Sequence, residues 1–339
     1  MQFLDLFAGI GGFRLGMEAA GHKCIGFCEI DKFARASYKA IHDTKGEIEL
    51  HDITTVSDEF IQSIGHVDVI CGGFPCQAFS IAGNRKGFED TRGTLFFEIA
   101  RFASILKPRI LFLENVKGLL NHDKGRTFET ILQTLDELGY NVEWQVLNSK
   151  DFGVPQNRER VFIIGHLRGT SGRKVFPIGG IDTNVNNVKQ VGNIIKTTSY
   201  NGNPHRGRVY CITGISPCLN CMGGGGREPK IRIKEATKKG YSEATIGDSV
   251  NISHPNSKTR RDRVGKGIAN TLLTGEEQCV VNRDFRIRKL TPKECWRLQG
   301  FPDWAFERAE KVNSNSQLYK QAGNSVTVNV IRAIARRLV

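Results

Sequence analysis

A few short stretches carry the residues that could do chemistry. Gly72-Gly73-Phe74-Pro75-Cys76-Gln77 follows an apolar run, so a Gly/Pro-fixed turn carries a thiol to the rim of a cleft. Most cytosolic cysteines are small buried hydrophobes, the reading given to Cys24, Cys28 and Cys71. Cys76 is out of place for that and reads as a nucleophile. Glu114-Asn115-Val116 closes another apolar run, where a carboxyl shielded by apolar neighbours holds its proton and can donate it to a ring nitrogen. In Gln156-Asn157-Arg158-Glu159-Arg160 the arginines alternate with Glu159, which predicts one shared face that grips a carboxylate or a pyrimidine carbonyl.

Ala8-Gly9-Ile10-Gly11-Gly12 brings backbone close to a ligand. A dinucleotide fingerprint would place a third glycine at position 14, which is Arg14, so a nucleoside cofactor without phosphates fits better. Glu29 ends the next apolar run and can accept from both ribose hydroxyls. Asp52 and Ile53 end a third, where a carboxylate takes an adenine amino group and an aliphatic chain packs on the ring. Either acid could instead be a helix cap.

These residues need a frame that puts them on one edge. Strands are predicted at 2–7, 24–29, 47–51, 67–72, 109–114, 141–148 and 160–167, with helices at 12–20, 32–42, 96–106 and 127–138 and stops at Gly21 and Gly139. This alternation is that of a doubly wound α/β sheet, mostly parallel. The last two strands are joined too tightly for a crossover helix and should pair antiparallel. Past Gly169 the chain turns Gly-, Asn-, Ser- and Lys-rich, a smaller, irregular β-rich region. Helical patterns return at 292–299 and 325–338, the latter expected to pack back on the first domain. The expected organisation is therefore 1–170, 171–302 and 303–339.

Charge separates the same regions. Of a net +13, residues 171–290 carry +12, with 21 lysines and arginines against nine acids. A basic segment beside a nearly neutral remainder suits a phosphate backbone, although a solvated basic face is the plainer alternative. There is no apolar run of membrane-spanning length and no signal-peptide pattern at the start, so a cytoplasmic, nucleoid-associated, monomeric protein is expected. The nine cysteines then read as reduced thiols. Cys218-Leu219-Asn220-Cys221, near Cys211 and His205, lacks a second matched pair, and no metal is expected. Arg206-Gly207-Arg208-Val209 with Gly214, Ile215 and Leu219 is faintly echoed by Arg261-Asp262-Arg263-Val264, Gly267, Ile268 and Leu272.

The stretches 9–12, 73–77, 114–116, 156–160, 288–302 and 321–326 stand in the order found in cytosine-carbon-5 DNA methyltransferases. The chain resembles the compact bacterial and phage members of restriction–modification type over 1–168 and 286–339. The resemblance implies a Rossmann-like sheet with a target-recognition domain, S-adenosylmethionine as methyl donor and S-adenosylhomocysteine as product. It also implies double-stranded DNA as partner and a cognate restriction endonuclease in the host. Carried over residue by residue, it implies catalytic roles for Cys76, Glu114, Arg158, Arg160 and Asn324. Cofactor contacts are implied at Phe7, Gly9, Gly11, Gly12, Glu29, Ile30, Asp52, Ile53, Pro75, Asn324 and Val326. DNA contacts are implied at Gln77, Ser80, Arg85 and Arg92, with 76–93 closing over a flipped base, and at Thr271 of a Thr-Leu pair, while His205, Arg206, Arg208, Arg261 and Arg263 are expected to meet DNA because they lie in the echoed stretches of the basic segment. Asn324, at the start of the last predicted helix, would support the catalytic loop or merely cap the helix. A related branch that acts on transfer RNA and a silent DNA-binding relative are the alternatives.

Overall fold

The structure, a computed structural model, describes residues 1–75, 95–170, 172–179, 190–193, 208–210, 231–253, 257, 259–275, 278–282 and 287–338. In chain order its first half is β1 (Gln2–Leu6), α1 (Gly12–Glu18), β2 (Lys23–Cys28), α2 (Lys32–Ile41), β3 (Ile48–Leu50), α3 (Asp58–Ser63), β4 (Val69–Gly73), α4 (Leu95–Leu106), β5 (Ile110–Val116), α5 (Arg126–Glu137), β6 (Tyr140–Asn148) and β7 (Glu159–Leu167). Among the described residues these strands form one seven-stranded sheet in the order β3-β2-β1-β4-β5-β7-β6. All neighbours are parallel except β7, which runs antiparallel to both β5 and β6.

Burial on both faces explains the unbroken apolar runs. Leu4, Leu6, Ile70, Leu111 and Leu113 face one layer, with Phe96 and Phe102 of α4 and Ile131 and Leu135 of α5. Phe3, Val69, Cys71, Ile110 and Phe112 face the other, with Phe13 and Met17 of α1. Local signals set the helices. The Asp31 side chain accepts from Phe33 and Ala34 N–H to start α2, and Gly21 and Gly139, both at positive φ, follow α1 and α5 as expected.

Beyond the sheet come β8 (Gln190–Asn193), β9 (Arg208–Tyr210), β10 (Ile231–Lys234), β11 (Tyr241–Ala244), β12 (Ser249–Asn251), β13 (Val264–Gly265), β14 (Gln278–Val281) and β15 (Ile287–Lys289). They pair antiparallel as β8-β9, β10-β11 and β13-β12-β14-β15. The chain then forms α6 (Pro292–Leu298), α7 (Asp303–Ala309), α8 (Asn315–Asn324) and α9 (Val328–Ala335). Thr291 and Glu294 make a reciprocal capping box with Pro292 in the first turn of α6. As expected, α9 returns to the sheet: Val330, Ile331 and Ile334 join Phe13 and Met17 in one cluster.

The final helix starts at Val328 rather than 325, because Ser325 is extended (φ −71°, ψ 157°). Asn324 is thus the last residue of α8 and caps no helix start. α3, α7 and α8 were not expected.

Candidate functional site

The strand order reverses between β1 and β4, and the crevice at that switch lies outside the carboxyl ends of the strands. Two turns flank it. After β1, Phe7 has φ 55° and Gly9 φ 57°, a left-handed backbone that a phenylalanine adopts only when the surroundings hold it. Glu29, at the end of β2, is part of that hold. Its Oε2 accepts from Gly9 N (2.8 Å) and its Oε1 from Asp31 N (2.8 Å), so one carboxylate ties the turn to the start of α2. Burial pushes the Glu29 carboxyl up and these two N–H donors pull it down. Each oxygen keeps a lone pair for a further donor.

The rest of the turn is closely walled. A Cβ on Gly11 would run into the His42 ring, and one on Gly12 would lie 2.8 Å from Ser325 Oγ and Val326 Cγ2. Arg14, in place of a third glycine, is buried and donates to Glu18, Glu47 and the Asp43 carbonyl, fastening α1 to the loop before β3. Asp52 accepts from Thr54 N (3.0 Å) and Thr54 Oγ1 (2.7 Å), the cap reading, while remaining half-exposed. Ile53 is 3% exposed and packs in the core, whereas Ile30, beside Glu29, is 67% exposed.

The second turn follows β4. Parallel pairing sets Gly73 opposite Glu114 of β5, and a Cβ on Gly73 would lie 3.2 Å from Glu114 Oε2. Asn115 Nδ2 donates to Phe74 O (2.8 Å), fixing the chain as it enters Pro75. Cys76, Gln77, Ser80, Arg85 and Arg92 lie outside the described residues. Glu114 itself is buried. Arg160 of β7 pairs with Val116 and brings Nε to 2.9 Å from Glu114 Oε1. The N–H is not aimed along that line, for Oε1 has no well-directed hydrogen bond. Burial pushes the Glu114 carboxyl up, against the opposing pull of Arg160 and then Arg158.

Arg158 and Arg160 do not share a face. Arg158 precedes β7 and turns into the body, where it donates to the carbonyls of Leu272 (3.2 Å), Gly323 (3.1 Å) and Ser325 (2.8 Å). Its burial lowers its pKa to about 9. The Val326 side chain fills the space between Gly12 and Gly73, whereas Asn324 is exposed at the end of α8.

The basic region is sorted by burial. Arg261 is exposed, with Nε on Ala236 O (3.0 Å). Arg263 is 3% exposed: it donates to Ser253 O (3.1 Å), and its N–H is held by Glu235 Oε1 (2.7 Å). The DNA contact expected of Arg263 is thereby corrected, since its guanidinium is buried and turned to the Ser253 carbonyl. Thr271 Oγ1 donates to Asn157 O (2.8 Å). His205, Arg206 and the Arg208 side chain lie outside the described residues, as do Cys211, Cys218 and Cys221.

Asp5 escaped sequence reasoning. It is fully buried in β1 with both carboxyl oxygens lacking a partner, and burial, opposed by Arg14, pushes it well above the usual carboxylate range. The signal was there: one acid inside Phe3-Leu4-Asp5-Leu6-Phe7.

The profile of the C-5 cytosine-specific DNA methylases matches residues 1–339. The chain belongs to that family. It is 39% identical to the type II methyltransferase M.HpaII of Haemophilus parainfluenzae over 99% of this chain and 88% of the relative. Against the orphan methyltransferase M.SPRI of Bacillus phage SPR it is 32% identical, over 100% and 97%. Among solved structures, the Dnmt2 methyltransferase of S. pombe superposes with a TM-score of 0.59 at 21% identity, over 100% of this chain and 98% of that one, a likeness of fold. For a C-5 cytosine-specific DNA methylase, the switch-point crevice between Glu29 and Glu114 is the candidate active site.

Proposed function

We propose that this chain is a DNA (cytosine-5-)-methyltransferase that modifies a cytosine flipped out of a short duplex sequence, using S-adenosylmethionine. The observation that carries the reading is the buried Glu114–Arg160 pair, at one switch-point crevice with the Glu29-held turn. The residues fit a nucleoside cofactor. Glu29 has lone pairs for ribose hydroxyls, Ile30 offers an aliphatic face, and Arg14 stands where a pyrophosphate-binding turn would have glycine. When bound, the cofactor supplies an electrophilic methyl group.

The protein's work is to make carbon 5 of the base a nucleophile. The Cys76 thiolate adds to carbon 6 while Glu114 gives its proton to ring nitrogen 3, leaving an enamine whose electron pair sits at carbon 5. Arg160 holds Glu114 and the ring carbonyl oxygen. After methylation, loss of the carbon-5 proton to a base expels Cys76 and restores the double bond. Pro75, pinned through Asn115 and Phe74, presents Cys76, and segment 76–93 closes over the base.

Residues 171–302 act as the target-recognition domain. The protein works as a cytoplasmic, nucleoid-associated monomer, alongside a restriction endonuclease of the same specificity. Tandem segments 206–219 and 261–272 read one site. Membership of the C-5 cytosine-specific DNA methylases does not favour a transfer-RNA substrate.

The test is Cys76→Ala. It should abolish methyl transfer to duplex DNA while cofactor binding persists, and 5-fluorocytosine duplexes should form a covalent adduct with the wild type alone. An active Cys76→Ala enzyme overturns the mechanism.

A further inference from the structure

Two residues before Arg160, loop 155–158 is bound on one side to segment 269–272 and on the other to the segments around α6 and α8. Asn157 N donates to Ala269 O (2.9 Å) and Ala269 N to Pro155 O (2.8 Å), a short parallel bridge. The Gln156 side chain is fully buried and uses both ends of its amide: Oε1 accepts from Leu272 N (3.0 Å) and Nε2 donates to Leu298 O (2.8 Å). Arg158 takes the Leu272 carbonyl, so both backbone groups of Leu272 end on this loop, and the same guanidinium holds Gly323 and Ser325. Thr271 Oγ1 closes on Asn157 O. The Leu272 side chain is buried with Trp296, Phe301 and Leu318, and a Cβ on Gly323 would collide with the Leu273 carbonyl.

A surface loop serving only to connect strands has no need of such ties. Every backbone polar group of Leu272, together with the Thr271 hydroxyl, ends on a loop whose next strand carries the arginine facing Glu114. A buried, fully connected polar network is stiff, because moving one member strands the others without partners. Eight residues before Ala269 stands exposed Arg261, on the stretch assigned above to DNA. A displacement of 261–272 is therefore passed to 155–158, and along two residues of chain to the Arg160–Glu114 pair.

We propose that loop 155–158, with Gln156 and Arg158 as positioning residues, couples base-pair reading by segment 261–272 to the alignment of Arg160 on Glu114, so that the correct duplex accelerates methyl transfer as well as binding. This rests on the reading of the chain as a DNA methyltransferase. Specificity then has a component in the transfer step, additional to affinity.

The experiment compares wild type with Gln156→Met on two duplexes, the target mapped by bisulfite sequencing and the same duplex with one flanking base pair changed. Duplex affinity and single-turnover transfer are measured separately, with cofactor affinity and thermal unfolding to show that the variant is folded. Transfer on the target should fall roughly tenfold, the size of one or two lost buried hydrogen bonds. Affinity should change by less than about twofold, and transfer on the altered duplex should hold, so discrimination in the transfer step shrinks. Equal loss on both duplexes makes Gln156 a passive brace and overturns the proposal, as does a loss found wholly in affinity. If Gln156→Met does not fold, Thr271→Val, which removes only the hydroxyl on Asn157, must reduce discrimination and Thr271→Ser must restore it; no difference between them overturns the proposal. A wild type that methylates no duplex overturns the underlying reading first.

Discussion

Arg160 Nε lies 2.9 Å from Glu114 Oε1 across the β5–β7 pairing, and the carboxyl it faces is nonetheless pushed up by burial. Desolvation raises the Glu114 pKa, and the arginine limits how far. The pair thus sets a carboxyl of raised pKa beside a fixed positive charge.

The first expectation concerns pH. Glu114 acts in its protonated form, so its contribution to kcat/KM is present at low pH and is lost as pH rises through its raised pKa, opposite in sense to a thiolate requirement at Cys76. Glu114→Gln keeps a donor but has no proton to give. It should lower methyl transfer by about a hundredfold or more and abolish the limb set by Glu114. A Gln variant with the wild-type pH profile of single-turnover transfer would remove Glu114 from this role.

Arg261 and Arg263 should behave as different kinds of residue. Alanine at exposed Arg261 should leave thermal stability nearly unchanged and reduce the salt dependence of duplex binding by about one charge. Alanine at buried Arg263 strands the Ser253 carbonyl and should cost about 1–3 kcal/mol in unfolding experiments. If the Arg263 variant lost a phosphate's worth of salt dependence with unchanged stability, the buried placement would be wrong.

Asp5 makes a prediction about stability. Its folded pKa is raised, so between the unfolded value near about 4 and the folded value the native chain holds a proton that the unfolded chain has released. Wild-type stability therefore declines as pH rises across that window, and Asp5→Asn does not share the decline. The melting temperature of Asp5→Asn minus that of the wild type should increase by a few degrees, at about 2–4 °C per kcal/mol, from acid to neutral pH. Parallel curves would show that Asp5 carries no raised pKa.

The sheet was readable because strands buried on both faces are apolar throughout, and β1 to β7 fall within about two residues of the expected runs. α8 was not, since Asn315 to Asn324 is largely polar and few of its side chains enter the core, among them Leu318 and Ala322. That hidden helix displaced Asn324 from a helix start to a helix end. The paired arginines failed for backbone reasons. Arg158 lies before β7 begins, outside the strand alternation that would have set it on one face with Arg160. The tie between Gln156 and Leu272 spans 116 residues and leaves no local trace.

The wall behind the glycine turn joins distant parts of the chain: Gly12 rests on Val326, Gly16 on Ile331, and His22 Nε2 meets Ala335 O 313 residues further on. During synthesis the turn and Glu29 leave the ribosome well before the helix that backs them. A growing chain thus carries a glycine turn open at the rear until α9 docks. The wall of the switch-point crevice is therefore completed only after residues 171–290 have also been made.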